Sequence, residues 1–167
     1  MSPPGLLVDP FAFARENREI SESRPVDSFD RLADAVLETD GTLSFTVRGW
    51  RDADGKSWLQ LELTGALVLR CQRCLEALTW PVAVSSLFLL VREDAELPDE
   101  GLEEDAWDTL PVGKRLDLLQ VIEDEALLAL PFAPRHDECS APSGADGGED
   151  TSPFAGLAIL RKPEGRG

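Results

Sequence analysis

The stretch TLSFTVRGWRDADGKSWLQLELTGALVL, residues 42–69, decides the fold class. Apolar and polar residues alternate through 42–49 and again through 59–69, which indicates two half-buried strands. Between them, residues 52–55 (DADG) predict a tight turn, because glycine adopts positive φ without steric cost. We therefore expect an antiparallel hairpin, with a bulge or a bend at Gly65.

Helical patterns precede this hairpin. Asp9 followed by Pro10 favours a helix start in residues 9–22, because proline suits the first helical position. Residues 25–39 predict a second helix, with Asp27 or Ser28 as its N-cap. Its apolar face comprises Phe29, Leu32, Ala33, Val36 and Leu37, at helical spacing.

A strand and a long helix are predicted after the hairpin. Residues 82–91 are apolar and β-branched, and Pro81 indicates that this third strand starts at an edge or after a break. Arg115 to Leu130 predicts the strongest helix, which Asp117 caps and Pro131 ends.

These elements predict the α+β class: a twisted antiparallel sheet with N-terminal helices, one long helix after the sheet and a tethered C-terminal segment. The predicted boundaries are one domain over 1–139, a flexible linker over 140–153 and a short docking segment over 154–167. The linker is rich in Ser, Gly, Asp and Pro, whereas residues 154–160 are apolar.

The composition is strongly acidic, with a formal net charge of -16 and a sequence pI of about 4.3. Such a charge repels nucleic acids and acidic membranes at long range and attracts basic partners. Residues 93–108 hold nine acidic residues and no Lys or Arg, which predicts a mobile loop or a docking surface for a basic protein. The chain has neither a membrane-spanning apolar run nor a secretory signal pattern, so we expect a soluble cytoplasmic protein.

The cysteines carry the most specific chemical signal. Cys71 and Cys74 form a C-x2-C pair, and the only histidine, His136, precedes Cys139 by three positions. Three thiolates and one imidazole are an accepted structural zinc set. The 64 residues between Cys74 and Cys139 exceed ordinary finger spacing, so free thiols in a turn and a loop remain an alternative reading.

Other chemistry is weakly supported. The cysteines of a thioredoxin-like pair lie at a helix N-terminus, whereas Cys71 follows a predicted strand. The sequence also has no phosphate-binding loop, no nucleophile elbow and no H-E-x-x-H motif. We therefore predict no catalytic residues and no enzymatic activity. Arg70 and Arg73, with Arg48 and Arg92 as further candidates, predict positive charge near the cysteine turn, where it could contact RNA phosphate.

Five stretches resemble the bacterial YceD family of large ribosomal RNA subunit accumulation proteins. They are LVDP at 7–10, CQRC at 71–74, LDLL at 116–119, VIEDEALLALP at 121–131 followed by Pro134 and His136, and PFAGLAILR at 153–161. The resemblance implies a role in the production, processing or stability of 23S rRNA. It also suggests metal binding at the matching positions Cys71, Cys74, His136 and Cys139.

Three functions stay open at this point. The first is a non-enzymatic ribosome biogenesis factor that promotes 23S rRNA accumulation, with 23S rRNA or its precursor as a direct or indirect partner. The second is an acidic, zinc-stabilised adaptor for a basic large-subunit ribosomal protein, which does not contact RNA. The third is a thiol redox protein that cycles a Cys71–Cys74 disulfide.

Overall fold

The fold is known from a computed structural model, which describes residues 5–95 and 106–142 of the chain. The elements follow in the order β1 (Leu7–Val8), α1 (Pro10–Arg15), β2 (Glu19–Pro25), a 3-10 turn (Val26–Ser28), α2 (Asp30–Ala35), β3 (Thr42–Arg51), β4 (Ser57–Arg70), β5 (Ala77–Arg92), β6 (Asp108–Val112), β7 (Leu116–Asp117) and α3 (Leu118–Leu128). The predicted α+β class is confirmed, with a mostly antiparallel sheet and the longest described helix after it.

The main sheet has the strand order β2-β3-β4-β5-β6. Successive strands are antiparallel except β5 and β6, which run parallel. The predicted β3–β4 hairpin is present, and Gly55 in its turn has φ +81°. The short strands β1 and β7, which the sequence patterns did not predict, pair to form a second sheet beside the first.

The predicted bulge at Gly65 is wrong. Gly65 forms the last pair of the β3–β4 register, with Leu43, and it pairs with Val82 on β5, where the register continues without interruption on both sides. A Cβ atom at this position would lie 2.7 Å from Leu43 Cδ2 and 2.8 Å from the Thr42 carbonyl oxygen. Glycine is therefore needed because the neighbouring strand approaches closely.

The helices cover one face of the main sheet and form the core with it. Alternate residues of β3 and β4 are buried on this face, among them Leu43, Phe45, Val47, Leu61 and Leu63. Helix α1 packs over β3 at Gly49, where an added Cβ would lie 2.5 Å from Phe13 Cδ1. A close helix–sheet contact therefore depends on the missing side chain at position 49.

The N-terminal helices are shorter than predicted. The helix that starts at Pro10 ends at Arg15, and Glu19–Pro25 forms the edge strand β2. Its polar side chains fit an edge strand, and Ser21 and Ser23 hydroxyls bond to Thr46 and Ser44 across the strand pair.

The predicted capping of the second helix is also wrong. Helix α2 spans only Asp30–Ala35 and has Phe29 at its N-cap position, not Asp27 or Ser28. The acceptor for its first amides comes from α3 instead, because Glu123 Oε1 accepts from the backbone N–H groups of Arg31 and Leu32. A distant carboxylate thus replaces the local side-chain cap.

Strand β5 is longer than predicted and passes through Pro81. Strand β6 pairs only with Phe88–Arg92 of β5, so the Pro81 half of β5 has one strand neighbour and tolerates the missing N–H. Most of the acidic stretch 93–108 lies outside the described residues. So do 143–167, which hold most of the predicted linker and all of the predicted docking segment, and those boundaries stay predictions.

Within 5–95 and 106–142, no helix has the length and apolar character needed to cross a bilayer.

Candidate metal centre

The first half of the centre is the turn that joins β4 to β5. Strand β4 ends at Arg70 and β5 begins at Ala77. The Cys71 N–H donates to the Glu76 carbonyl at 2.9 Å, and the Leu75 N–H donates to the Cys71 carbonyl at 2.9 Å. Leu75 has φ 66°, an unusual conformation for a bulky side chain, which closes this turn tightly.

The second half comes from the segment after α3. The Gln72 N–H donates to the Pro134 carbonyl at 2.8 Å, which joins this segment to the cysteine turn. His136 Nε2 lies 3.0 Å from the Ala77 carbonyl oxygen at the start of β5. These contacts bring His136 and Cys139 to the same end of the sheet as Cys71 and Cys74.

The four ligand atoms converge on one point. Cys71 Sγ and Cys139 Sγ lie 3.7 Å apart, Cys74 Sγ lies 3.3 Å from His136 Nδ1, and all four atoms lie within 4.8 Å of one another. In a tetrahedral zinc site, bonds of about 2.3 Å to sulfur and about 2.0 Å to nitrogen place ligand atoms about 3.5–3.8 Å apart. The residues therefore fit a single zinc ion, and Cys71 and Cys139 are both free thiols in this structure.

The imidazole is oriented for metal binding. A carbonyl oxygen accepts hydrogen bonds only, so the contact with Ala77 places the N–H of neutral His136 on Nε2. The lone pair of Nδ1 then faces Cys74 Sγ and the centre of the cluster. A carbonyl partner on the far nitrogen is the usual way in which proteins fix a metal-binding histidine.

The cysteine turn favours a thiolate at Cys71, which is fully buried. Burial raises the pKa of this thiol, but hydrogen bonds from backbone N–H groups outweigh it and lower the pKa to about 5. Two of these donors are the N–H groups of Arg73 and Cys74, each 3.5 Å from the sulfur. Hydrogen bonds with Cys71 and Cys139 raise the pKa of His136.

Comparison with known protein families matches residues 59–161 to the family described as large ribosomal RNA subunit accumulation protein YceD. The chain belongs to the YceD family. The matched region contains all four ligand residues, and membership supports a role in large-subunit ribosomal RNA accumulation, as the resemblance implied. No solved structure matches the chain.

Arg73 contacts the cluster of three cysteines and one histidine in this YceD-family chain. Its Nε donates to Cys139 Sγ at 3.0 Å, and its Nη2 donates to the carbonyl oxygens of His136 at 2.7 Å and Asp137 at 3.2 Å. The hydrogen bond to Cys139 raises the pKa of the guanidinium. The sequence pattern predicted an RNA contact for Arg73 but not its contacts with Cys139 and His136, because a C-x2-C motif does not show which way the intervening side chain turns.

The other arginines predicted near the cysteine turn are dispersed. Arg70 is exposed at the end of β4, directly before Cys71, and its contact with RNA stays a prediction. Arg48 forms an ion pair with Glu19, with Nη2 2.7 Å from the carboxylate. The expected position of Arg92 is wrong, because Arg92 ends β5 and the metal centre adjoins the start of that strand.

Proposed function

We propose that this protein is a non-enzymatic, cytoplasmic factor that promotes the synthesis, processing or stability of 23S rRNA, and that one structural zinc ion stabilises it. The convergence of three sulfurs and one imidazole nitrogen within 4.8 Å carries the proposal. Family membership supports the role in large-subunit rRNA accumulation.

The donor set favours a structural zinc site over a catalytic one. Catalytic zinc keeps one coordination position open for water or substrate, whereas four protein ligands complete a tetrahedron. Cys71, Cys74, His136 and Cys139 supply four ligand atoms, and the far nitrogen of His136 already contacts the Ala77 carbonyl. This arrangement supports a factor without catalytic activity.

The ion would join parts of the chain that are distant in sequence. Strands β4 and β5 already make a continuous ladder, so they need no metal to remain paired. The segment 134–139 forms no strand or helix, and its backbone hydrogen bond to the rest of the domain is the one from the Gln72 N–H to the Pro134 carbonyl. Zinc would therefore attach the segment 134–139 to the turn between β4 and β5.

Replacement of single ligands in the host cell tests the proposal. We expect Cys74→Ser and Cys139→Ser to lose zinc and to lower the ratio of 23S to 16S rRNA. His136→Cys should keep zinc and the normal rRNA ratio, because four cysteines are also a stable zinc set. Zinc content is measured by mass spectrometry of the purified protein, and rRNA by electrophoresis, with protein levels matched by immunoblot.

The matched control is Gln72→Ala, which changes the turn but keeps the backbone N–H that binds Pro134. Zinc-free variants that sustain a normal 23S to 16S ratio at equal protein level would contradict the proposal. So would a Cys71–Cys74 disulfide that cycles with a cellular reductant, since that result supports the redox alternative. Retention of a basic large-subunit protein after RNase treatment would support the adaptor alternative.

A further inference from the structure

A groove with many cationic residues lies at the other end of the sheet. One depression, of about 600 Å³, includes Arg92 and Lys114, and a second, of about 410 Å³, includes Arg51 and Lys56. Both are lined by Phe11, Arg15 and Arg92, so they form one continuous groove, which we call the Phe11 groove. Five of the 16 Lys and Arg residues of this acidic chain line it.

Among the described residues, the positive charges of the groove form no close ion pair, although Lys56 interacts electrostatically with Asp52 beside it. Within the described ranges, Arg51, Lys56, Arg92 and Lys114 have no carboxylate oxygen within 4.0 Å, and Arg15 contacts only Glu16, at 3.9 Å. Elsewhere, arginines of β2, α2 and β3 do form pairs at 2.6–2.8 Å. Among the described residues, the acidic side chains lining the groove are Asp9, Glu93 and Asp94, against five cations.

Two of the guanidinium groups are held in place before any ligand arrives. The Arg92 guanidinium carbon lies 5.8 Å from the centre of the Phe11 ring, and both residues line both depressions. Arg51 Nε donates to the Gly55 carbonyl at 2.8 Å, which fixes this side chain along the β3–β4 turn. Ordered guanidinium groups lose less entropy when they bind phosphate oxygens.

We propose that the Phe11 groove binds the phosphate backbone of single-stranded RNA. Its cations come from α1, the β3–β4 hairpin, the end of β5 and the β6–β7 loop, and they line two adjoining depressions: Lys114 lines only the first, whereas Arg51 and Lys56 line only the second. A spread of this kind suits successive phosphates of a strand. The strand's identity as RNA rests on the proposed role in 23S rRNA accumulation, whereas the existence of an anion groove rests on its charges.

The groove and the metal centre are separate. Lys56 and Arg92 lie at the ends of β4 and β5 where Ser57 pairs with Leu90, whereas the metal centre adjoins the opposite ends, where Arg70 pairs with Ala77. Loss of RNA binding in the groove would therefore leave the zinc site intact. This separation lets the two proposals fail independently.

Binding of an oligonucleotide to the purified, full-length, metal-loaded protein tests the groove. The probe is a fluorescein-labelled oligouridylate of about ten nucleotides, observed by anisotropy between about 50 and 200 mM salt. Lys56 and Lys114 are both exposed, so the variant Lys56→Glu/Lys114→Glu should fold normally, which circular dichroism confirms. The matched control is Arg18→Glu/Arg24→Glu, which reverses the same number of charges at two arginines that neither line the groove nor adjoin the metal ligands.

We expect the groove variant to weaken binding by about tenfold or more and to reduce the slope of log K against log salt by about 1.4, at about 0.7 per phosphate contact. The control should bind within about threefold of wild type at the same salt, because only the net charge has changed. An equal loss in both variants, or no binding by wild type at the lowest salt, would overturn the proposal. Equally tight binding of polyglutamate would overturn RNA as the occupant.

Discussion

The Arg73 guanidinium donates to the sulfur of Cys139 in the candidate metal centre, with 3.0 Å between Nε and Sγ. The same side chain binds the His136 carbonyl at 2.7 Å. Arg73 therefore contacts both ligands that come from the segment after α3, while its own backbone N–H lies 3.5 Å from Cys71 Sγ. It acts as a positioning residue that links the two halves of the ligand set.

Loss of this side chain should weaken metal binding. Substitutions that remove hydrogen bonds to metal ligands typically lower affinity by about 10–100-fold, so we expect a loss of that size in Arg73→Ala. Arg73→Lys keeps the charge but not the planar set of donors, so its zinc affinity should lie between those of the wild type and Arg73→Ala. The measurement is zinc competition with a chromophoric chelator, and Arg70→Ala is the control. Equal affinity in Arg73→Ala and Arg70→Ala would contradict this role.

Removal of zinc should loosen one end of the molecule and leave the rest folded. A strong chelator should increase hydrogen exchange at the amide of Gln72, which bonds to Pro134, and lower the melting temperature. Amides in the centre of β3 and β4 should stay protected, because the core residues there are buried independently of the metal. Uniform exchange across the whole sheet after chelation would show instead that the domain unfolds without its ion.

The conformation of Leu75 predicts a stabilising substitution. A left-handed backbone costs a residue with a Cβ about 1–2 kcal/mol, and glycine avoids this cost but loses about 0.5–1 kcal/mol of chain entropy. Since Leu75 is about half exposed (51%), Leu75→Gly should leave stability equal or raise it by about 1 kcal/mol. Chemical denaturation of the metal-loaded protein measures it. Leu75→Ala, which keeps the Cβ, should show no gain, and a gain as large as that of glycine would exclude backbone strain as the cause.

Glu123 should be among the most sensitive polar residues of the fold. It is buried in α3, and its carboxylate accepts from the amides of Arg31 and Leu32 at 2.7 and 3.1 Å. Glu123→Ala leaves both amides without this acceptor and should cost about 2 kcal/mol or more of unfolding free energy. Asp124→Asn is the control, because it removes only an exposed contact with Arg31 and should cost less than about 1 kcal/mol. Similar losses in both variants would contradict the capping role.

Local patterns predicted the parts of the fold that depend on local chemistry. The β3–β4 hairpin follows from period-two alternation and a glycine turn, and Asp117 caps α3 as predicted, because its side chain accepts from the Leu119 N–H at 3.0 Å. The helix itself spans Leu118–Leu128 and does not begin at Arg115 as predicted, because Leu116–Asp117 pairs with β1. The clustering of Cys71, Cys74, His136 and Cys139 was predicted because the chain has one histidine and three cysteines. Cys139 and His136 are the remaining cysteine and the single histidine of the sequence, and both lie beside Cys71 and Cys74 in the structure.

The missed features depend on contacts between distant parts of the chain. Strand β2 has polar side chains without a strong apolar alternation, and it forms because β3 offers a free edge. The cap of α2 comes from Glu123, 92 residues after Arg31. The Phe11 groove gathers cations from four separate segments, which no window of sequence reveals.

X-ray absorption at the zinc edge of the full-length protein, purified without chelators, tests the central claim most directly. We expect about one zinc per chain, with three sulfur neighbours at about 2.3 Å and one nitrogen at about 2.0–2.1 Å. Cys139→Ser should remove the ion or replace one sulfur with oxygen. A protein that contains no zinc, or zinc surrounded only by oxygen and nitrogen, would contradict the claim that Cys71, Cys74, His136 and Cys139 form one metal centre.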